Sequence, residues 1–224
     1  MRISLVLCLI CVASGIVRAQ SQPVLQSSNA FIAAGVRQGS LSLDYFYNWQ
    51  PGASRKFQIG LGARITSYIG SNQYHATAPA DLAVDVLKSD SLLLSTAQVH
   101  ALNLAVQLGY RLSEKVSLGF NIDAVGVSFG ANKNGRYLNG NQGQLVQARP
   151  TPLNILLVGN HDRGTLNSQF FIRYHITKSW AATVAYQFLF VEYTTAVAVQ
   201  QQPEPNDRFR NKASMFGVGI TKLF

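Results

Sequence analysis

The sequence predicts an all-β fold, an eight-stranded antiparallel up-and-down transmembrane β-barrel. Three observations point there. Apolar and polar residues alternate with period two over eight stretches. The connections between those stretches are short and long in turn. Beyond residues 1–19, no run of eighteen apolar residues offers a helical span. A ten-stranded variant, with an extra hairpin in 71–98 or 131–163, fits the same pattern.

Residues 1–19 read as a signal peptide. Arg2 supplies the positive end, residues 3–17 an apolar core without acids, and Val17-Arg18-Ala19 a small-residue site for cleavage after Ala19. That core is shorter than the ~20 residues a spanning helix needs. Cys8 and Cys11 both fall in this segment, and Leu7 and Ile10 stand where lipoprotein attachment requires a small residue. The mature chain therefore carries no disulfide and no thiolate metal site. Without Arg2 and Arg18, the 19 basic residues fall to 17 against 10 acidic ones, a net charge of +7. Charged residues make up only 13% of the chain, about half the share usual in soluble domains.

Residues 20–29 are Ser- and Gln-rich and read as a periplasmic lead-in without a fold, leaving 30–224 as the barrel domain. Strand 1 is expected at about 30–37, with a turn at Gln38-Gly39. Strand 2 sets Leu41, Leu43, Tyr45, Tyr47 and Trp49 against Ser42, Asp44, Phe46 and Asn48. After the turn residues 50–53, strand 3 sets Phe57, Ile59, Leu61, Ala63 and Ile65 against Gln58, Gly60, Gly62, Arg64 and Thr66. A long loop is expected over 71–98, within which 81–94 reads as a short helix or as an extension of the strands. Strand 4 alternates from Leu102 to Leu112, with Asn103, Ala105, Gln107, Gly109 and Arg111 inward. Strand 5 follows from Val116 to Ala124. Beyond Ala124 the apolar residues change face to Val125, Val127 and Phe129, which predicts a bulge. A second long loop covers 131–163. Strand 6 sets Phe170, Ile172, Tyr174 and Ile176 against Gln169, Phe171, Arg173 and His175. Strand 7 runs from Trp180 to Phe190, and a third long loop covers 195–211. The last strand, 212–224, places Phe216, Val218, Ile220, Lys222 and Phe224 on one face and Gly217, Gly219 and Thr221 on the other. An even strand number puts both termini on the side of the short turns.

With the leader at the other end, a closing strand that finishes on Phe224 resembles that of bacterial outer-membrane β-barrels of the small OmpA/OmpX type. The resemblance implies that Phe216, Val218, Ile220 and Phe224 form the signal read by the barrel assembly machinery. It also implies residence in the cell outer membrane. The stretch Asn154-Ile-Leu-Leu-Val-Gly-Asn-His-Asp-Arg-Gly164, with Ala148-Arg149-Pro150-Thr151-Pro152 before it, resembles a segment of uncharacterised outer-membrane barrels of the Bacteroidetes type.

The polar faces are dominated by Gly, Ser, Ala, Asn and Gln, which suit the crowded interior of an eight-stranded barrel and not the solvated face of a secreted sandwich. On that inward face Asp44, Arg64, Arg111, Asp123 and Arg173 form a charge cluster. Charges taken out of water must pair, so the cluster reads as an electrostatic plug, or alternatively as a gate on a narrow path. His175-Ile176-Thr177 echoes the His-x-Ser of lipid A deacylases, with threonine in place of the nucleophile. His75, His100 and His161-Asp162 show no metal-ligand spacing. The expected function is a structural or surface-interaction barrel acting through loops 71–98, 131–163 and 195–211. A narrow channel is the alternative, and a lipid A-modifying enzyme the second. Expected partners are lipopolysaccharide and the assembly machinery, with a monomeric state, no nucleic acid, no cofactor, no metal and no catalytic residue.

Overall fold

The computed structural model describes residues 24–78, 89–139, 143–157, 161–199 and 205–224. The expected leader and the stretch 79–88 lie outside these. The described strands are β1 (Val24–Gly35), β2 (Gln38–Trp49), β3 (Phe57–Thr77), β4 (Ser91–Arg111), β5 (Val116–Phe129), β6 (Lys133–Tyr137), β7 (Leu145–Pro150), β8 (Leu153–Ile155), β9 (Leu166–His175), β10 (Trp180–Thr195) and β11 (Arg208–Leu223).

Eight of them close a ring in the order β1-β2-β3-β4-β5-β9-β10-β11, every pair antiparallel. β11 returns to β1 from Ser27↔Leu223 to Ala34↔Phe216. This is the predicted eight-stranded up-and-down transmembrane barrel. Its outward face is an apolar belt: Ile32, Leu61, Leu104, Ile172, Val184 and Val218 are each more than half exposed. Its inward face buries Ser42, Asn103, Gln107, Asn121, Gln169 and Gln187. A closed ring turned apolar side out meets the requirement of a hydrocarbon surround, where every backbone group must be paired within the protein. On β3 the belt runs from Phe57 to Ile69. The connections 50–56, 112–115 and 176–179 lie at the end where β1 starts and β11 finishes.

Several expected boundaries move. β1 starts at Val24, so most of the expected lead-in belongs to the barrel. Its outward residues near that end are Gln26 and Ser28, too polar to announce a strand, yet they pair with Tyr47 and Tyr45. Gln26 Oε1 also accepts a hydrogen bond from the Tyr45 hydroxyl at 2.6 Å. The first turn is Val36-Arg37, with Arg37 at φ 57°, and Gln38 and Gly39 already pair in β2. The expected bulge is present. Leu104 faces Val125 while Ala105 faces Asp123, leaving Ala124 unpaired and turning Val125, Val127 and Phe129 outward.

The first of the three expected long loops is largely strand where described, and the other two are partly so. β3 continues to Thr77 and β4 begins at Ser91, so 71–98 lengthens the wall. The stretch 131–163 holds the hairpin β6–β7 and the short β8, and β11 begins at Arg208 inside the third. An extra hairpin of the ten-stranded variant thus exists in 131–163, but it lies outside the eight-strand ring.

Beyond the belt these extensions close a second ring, β3-β4-β6-β7-β10-β11. Its contacts include Gln73↔Leu94, Leu92↔Tyr137, Gly135↔Val146, Tyr193↔Pro150, Thr194↔Arg208 and Phe209↔Thr77. Leu92, Leu94, Tyr137, Val146, Val191, Tyr193 and Phe209 fill it as an apolar core continuous with the barrel's Tyr68, Ala97, Val99 and Met215. Facing is reset between the two rings. On β3 the buried positions pass from Arg64, Thr66 and Tyr68 to Gln73, His75 and Thr77. The switch occurs at Asn72, whose φ of 50° is a left-handed value that asparagine tolerates better than most residues. Period-two counting cannot cross such a residue.

Glycine on the inner face of β11 has a visible reason. A methyl group at Gly217 would sit 2.5 Å from the Phe31 ring, and one at Gly219 would sit 3.0 Å from it. The pair is a shelf for that aromatic ring.

Candidate functional site

The lumen centres on Arg64. Asp44 is its direct partner across the β2–β3 ladder, and the bulge at Ala124 sets Asp123 facing Ala105 across β4. Arg64 Nη1 lies 3.2 Å from Asp123 Oδ1, and Nε lies 3.9 Å from Asp44 Oδ2. Nη1 donates to the Asn167 carbonyl at 3.2 Å, and Nη2 donates to Asn121 Oδ1. The side chains of Arg64 and Asp123 are wholly buried.

Satisfaction continues outward from the carboxylates. Asp123 Oδ2 accepts from Asn103 Nδ2 at 2.6 Å and from the Asn167 amide at 3.0 Å. Asp44 Oδ2 accepts from Asn29 Nδ2 at 3.2 Å. Asn103 Oδ1 accepts from Asn154 Nδ2 at 2.8 Å, and Asn154 Oδ1 in turn accepts from Ser128 Oγ and the Thr165 amide. On the other flank the Thr221 hydroxyl donates to Asn29 Oδ1 at 3.1 Å. One network thus crosses the lumen from β11 to β8. Fixed hydrogen-bonding groups around a buried charge are what make its burial tolerable.

The sequence-predicted cluster is only partly assembled. Arg64, Asp44 and Asp123 come together; Arg111 and Arg173 do not reach an aspartate at ion-pair distance. They belong to another row of the wall, Arg111↔Ser117↔Arg173↔Thr183, nearer the terminal end. Arg173 is buried, with its guanidinium 4.5 Å from the centre of the Phe171 ring. Asn154 and Thr165, both in the network, escaped sequence reasoning because they lie in a stretch without alternation. The only hint was the Pro- and Gly-bounded stretch itself.

The histidines are dispersed. His75 is buried in the second ring, edge-on to Tyr193 at 5.3 Å. Its burial pulls the imidazole down to about 4. His100 is held by Ser67 Oγ at 2.9 Å and stacks on Phe129. His175 Nε2 lies 3.1 Å from Ser117 Oγ. Thr177, aligned with a serine nucleophile in the deacylase comparison, accepts from the amides of Ser179 and Trp180 and so caps its own turn. Among the described residues no three His, Cys, Asp or Glu side chains converge as a metal site. Phe216, Val218, Ile220 and Phe224 all face outward and are exposed.

A second buried charge group lies on the outside of the wall. Glu192 accepts from Arg210 Nε at 3.0 Å and Nη2 at 2.7 Å, and from Arg208 at 3.4 Å. Both arginines also donate to the Asp162 carbonyl, and Gly164 N donates to Glu192 Oε1. This fastens the segment 161–165 onto β10 and β11.

No family model matches the chain, and no curated protein matches it. Among solved structures it is similar to the Neisserial surface protein A, at 8% identity over 90% of this chain and 96% of that one, with a TM-score of 0.41. It is also similar to Ail, the attachment invasion locus protein of Yersinia pestis, at 8% identity over 90% and 97%, with a TM-score of 0.39. A de novo designed transmembrane β-barrel aligns at 7% identity over 92% and 98%, with a TM-score of 0.36. The eight-strand ring stands on this chain's own ladder.

Proposed function

We propose that this chain is a small integral outer-membrane β-barrel with a filled, non-conducting lumen, serving a structural or surface-interaction role through the second ring. The observation that carries the reading is the double stopper. At the level of Arg64 the lumen is occupied by a hydrogen-bonded side-chain network, and beyond it the apolar core of the second ring closes the same axis. Such an interior leaves no continuous file for water or ions. The end with the short turns and the termini is then periplasmic and the second ring extracellular, since barrels of this class keep short turns inside. Lipopolysaccharide is the expected lipid partner, the assembly machinery is the partner in biogenesis, and the protein acts as a monomer.

Purified protein in planar bilayers tests this. Absence of steady single-channel openings is expected, and regular openings would replace the reading with that of a narrow channel. Faster migration of unboiled than of boiled protein on SDS gels is the expected mark of the closed barrel. Expression that leaves lipid A mass unchanged is expected, and a mass change would revive the enzyme reading.

A further inference from the structure

We infer that the periplasmic mouth of the lumen is a binding site for a small free oxyanion of phosphate type, held by Arg173 and Arg111. This goes beyond the proposed function, because a site at one mouth needs neither conduction nor an extracellular partner.

Arg173 is 95% buried, at 5% exposure, yet its side chain makes no hydrogen bond and no ion pair within 4.0 Å among the described residues. Its Nε is a buried donor without a partner. Its ring contact with Phe171 satisfies a face of the guanidinium and none of its N–H groups. A buried guanidinium left in this state is costly. Arg111, half-buried at the end of β4, repeats the pattern: its Nε is also buried and unpartnered. The two arginines flank Ser117 in one ladder row, and Ser117 Oγ is linked to His175 Nε2. The mouth therefore presents two guanidinium groups, a hydroxyl and an imidazole.

Charge accounting agrees. The lumen holds three arginines against two aspartates, and both aspartates are engaged by Arg64. Both arginines at the mouth are thus left without a carboxylate at ion-pair distance, and the lumen as a whole carries a net charge of +1. Around it the terminal-end turns 50–56, 112–115 and 176–179 carry Arg55, Lys56, Lys115 and Lys178 against Glu114. A low-dielectric mouth ringed by one sign of charge concentrates anions, and guanidinium pairs match the oxygens of a tetrahedral oxyanion.

The test uses the full mature chain refolded in a maltoside detergent, which has no phosphate, with inorganic phosphate titrated against sodium chloride at equal ionic strength. Saturable movement of the Arg173 Nε–H resonance and a saturable rise in unfolding temperature with phosphate alone are expected. Arg173→Gln should abolish the rise in unfolding temperature. Arg111→Gln, at a half-exposed strand end, should fold and bind at least about tenfold more weakly, as loss of a charged hydrogen bond implies. Arg149→Gln, on the second ring, should bind like wild type. An anionic lipid headgroup, tethered outside the wall, should leave the resonance unmoved when phosphatidylglycerol is added instead. The inference is overturned if chloride and phosphate act alike, if Arg111→Gln binds as wild type, or if only the lipid moves the resonance. None of these outcomes bears on bilayer conductance, so the proposed function stands or falls separately.

Discussion

Replacing Asp123 by asparagine probes the lumen most directly. One carboxylate oxygen faces Arg64 at 3.2 Å, and the other takes two donors, Asn103 Nδ2 and the Asn167 amide. An asparagine must give one of those two places to an NH2 group. Turned toward Arg64, it sets donors against a guanidinium; turned away, it sets donors against two donors. No rotamer satisfies both sides, and Arg64 keeps only Asp44, at 3.9 Å. Breaking a buried pair from one side costs roughly 3–5 kcal/mol. The hydrogen bond that Arg64 still donates to Asn121 Oδ1 and the second carboxylate place the expected loss near the lower figure, about 3 kcal/mol. Denaturant unfolding in lipid vesicles, with refolding shown to be reversible, measures it. Arg64→Gln alone should cost as much, because it leaves two unpaired carboxylates. The double variant should recover roughly 1–3 kcal/mol of the summed losses, the coupling expected of contacting residues. An Asp123→Asn barrel that unfolds at the wild-type midpoint, with no coupling to Arg64, would refute the plug.

Leu104 and Leu145 are 60% and 74% exposed, but only Leu104 lies in the belt. Leu104→Arg is expected to cost roughly 2–4 kcal/mol in bilayers and Leu145→Arg close to nothing; equal costs would mean that the belt is misplaced. Removing Phe224, whose amide donates to the Gln26 carbonyl at 3.0 Å, should lower assembled protein in cells while leaving the unfolding midpoint of refolded barrel nearly unchanged. Normal membrane levels would refute a role in assembly. His75 is neutral when folded and titrates near 4, against 6.5 when unfolded. The unfolded chain therefore binds its proton first on acidification. Stability of the second ring is full above pH 6.5 and should fall by roughly 3 kcal/mol as pH drops to about 4. Hydrogen exchange of the amides near His75 should show this slope, and His75→Phe should remove it.

Within the belt, faces and partners were readable from the sequence because hydrocarbon outside and a crowded lumen inside impose opposite demands on successive residues. Leu102 to Leu112 and Trp180 to Phe190 show it, and the bulge at Ala124 was legible as a switch of face. Gln107 marks a limit of that reading. Its polarity correctly placed it inward, but alternation says nothing of its surroundings: the side chain is buried and donates to Asn48 Oδ1 at 2.7 Å. The second ring was illegible for a different reason: its apolar residues point inward, the reverse of the belt, and Asn72 resets the count while the register of β3 on β4 stays the same on either side of it. The partition of the charges also lay beyond the sequence. Arg64 and Arg173 look alike on the inward face, and only the register of β9 sends one to the aspartates and the other to the mouth.

The second ring changes what sequence variation can do to the exposed surface. Segments that would otherwise be free loops, each refolding with every substitution, are held here by main-chain bonds in a closed circuit. Tyr74, Leu145, Gln147 and Arg149 project from that circuit and are exposed. Exchanges at these positions alter the chemistry offered to the surroundings while its contour stays put. Adaptation of the outer face can therefore proceed by repainting a fixed relief, one residue at a time, without reopening the problem of how the chain folds.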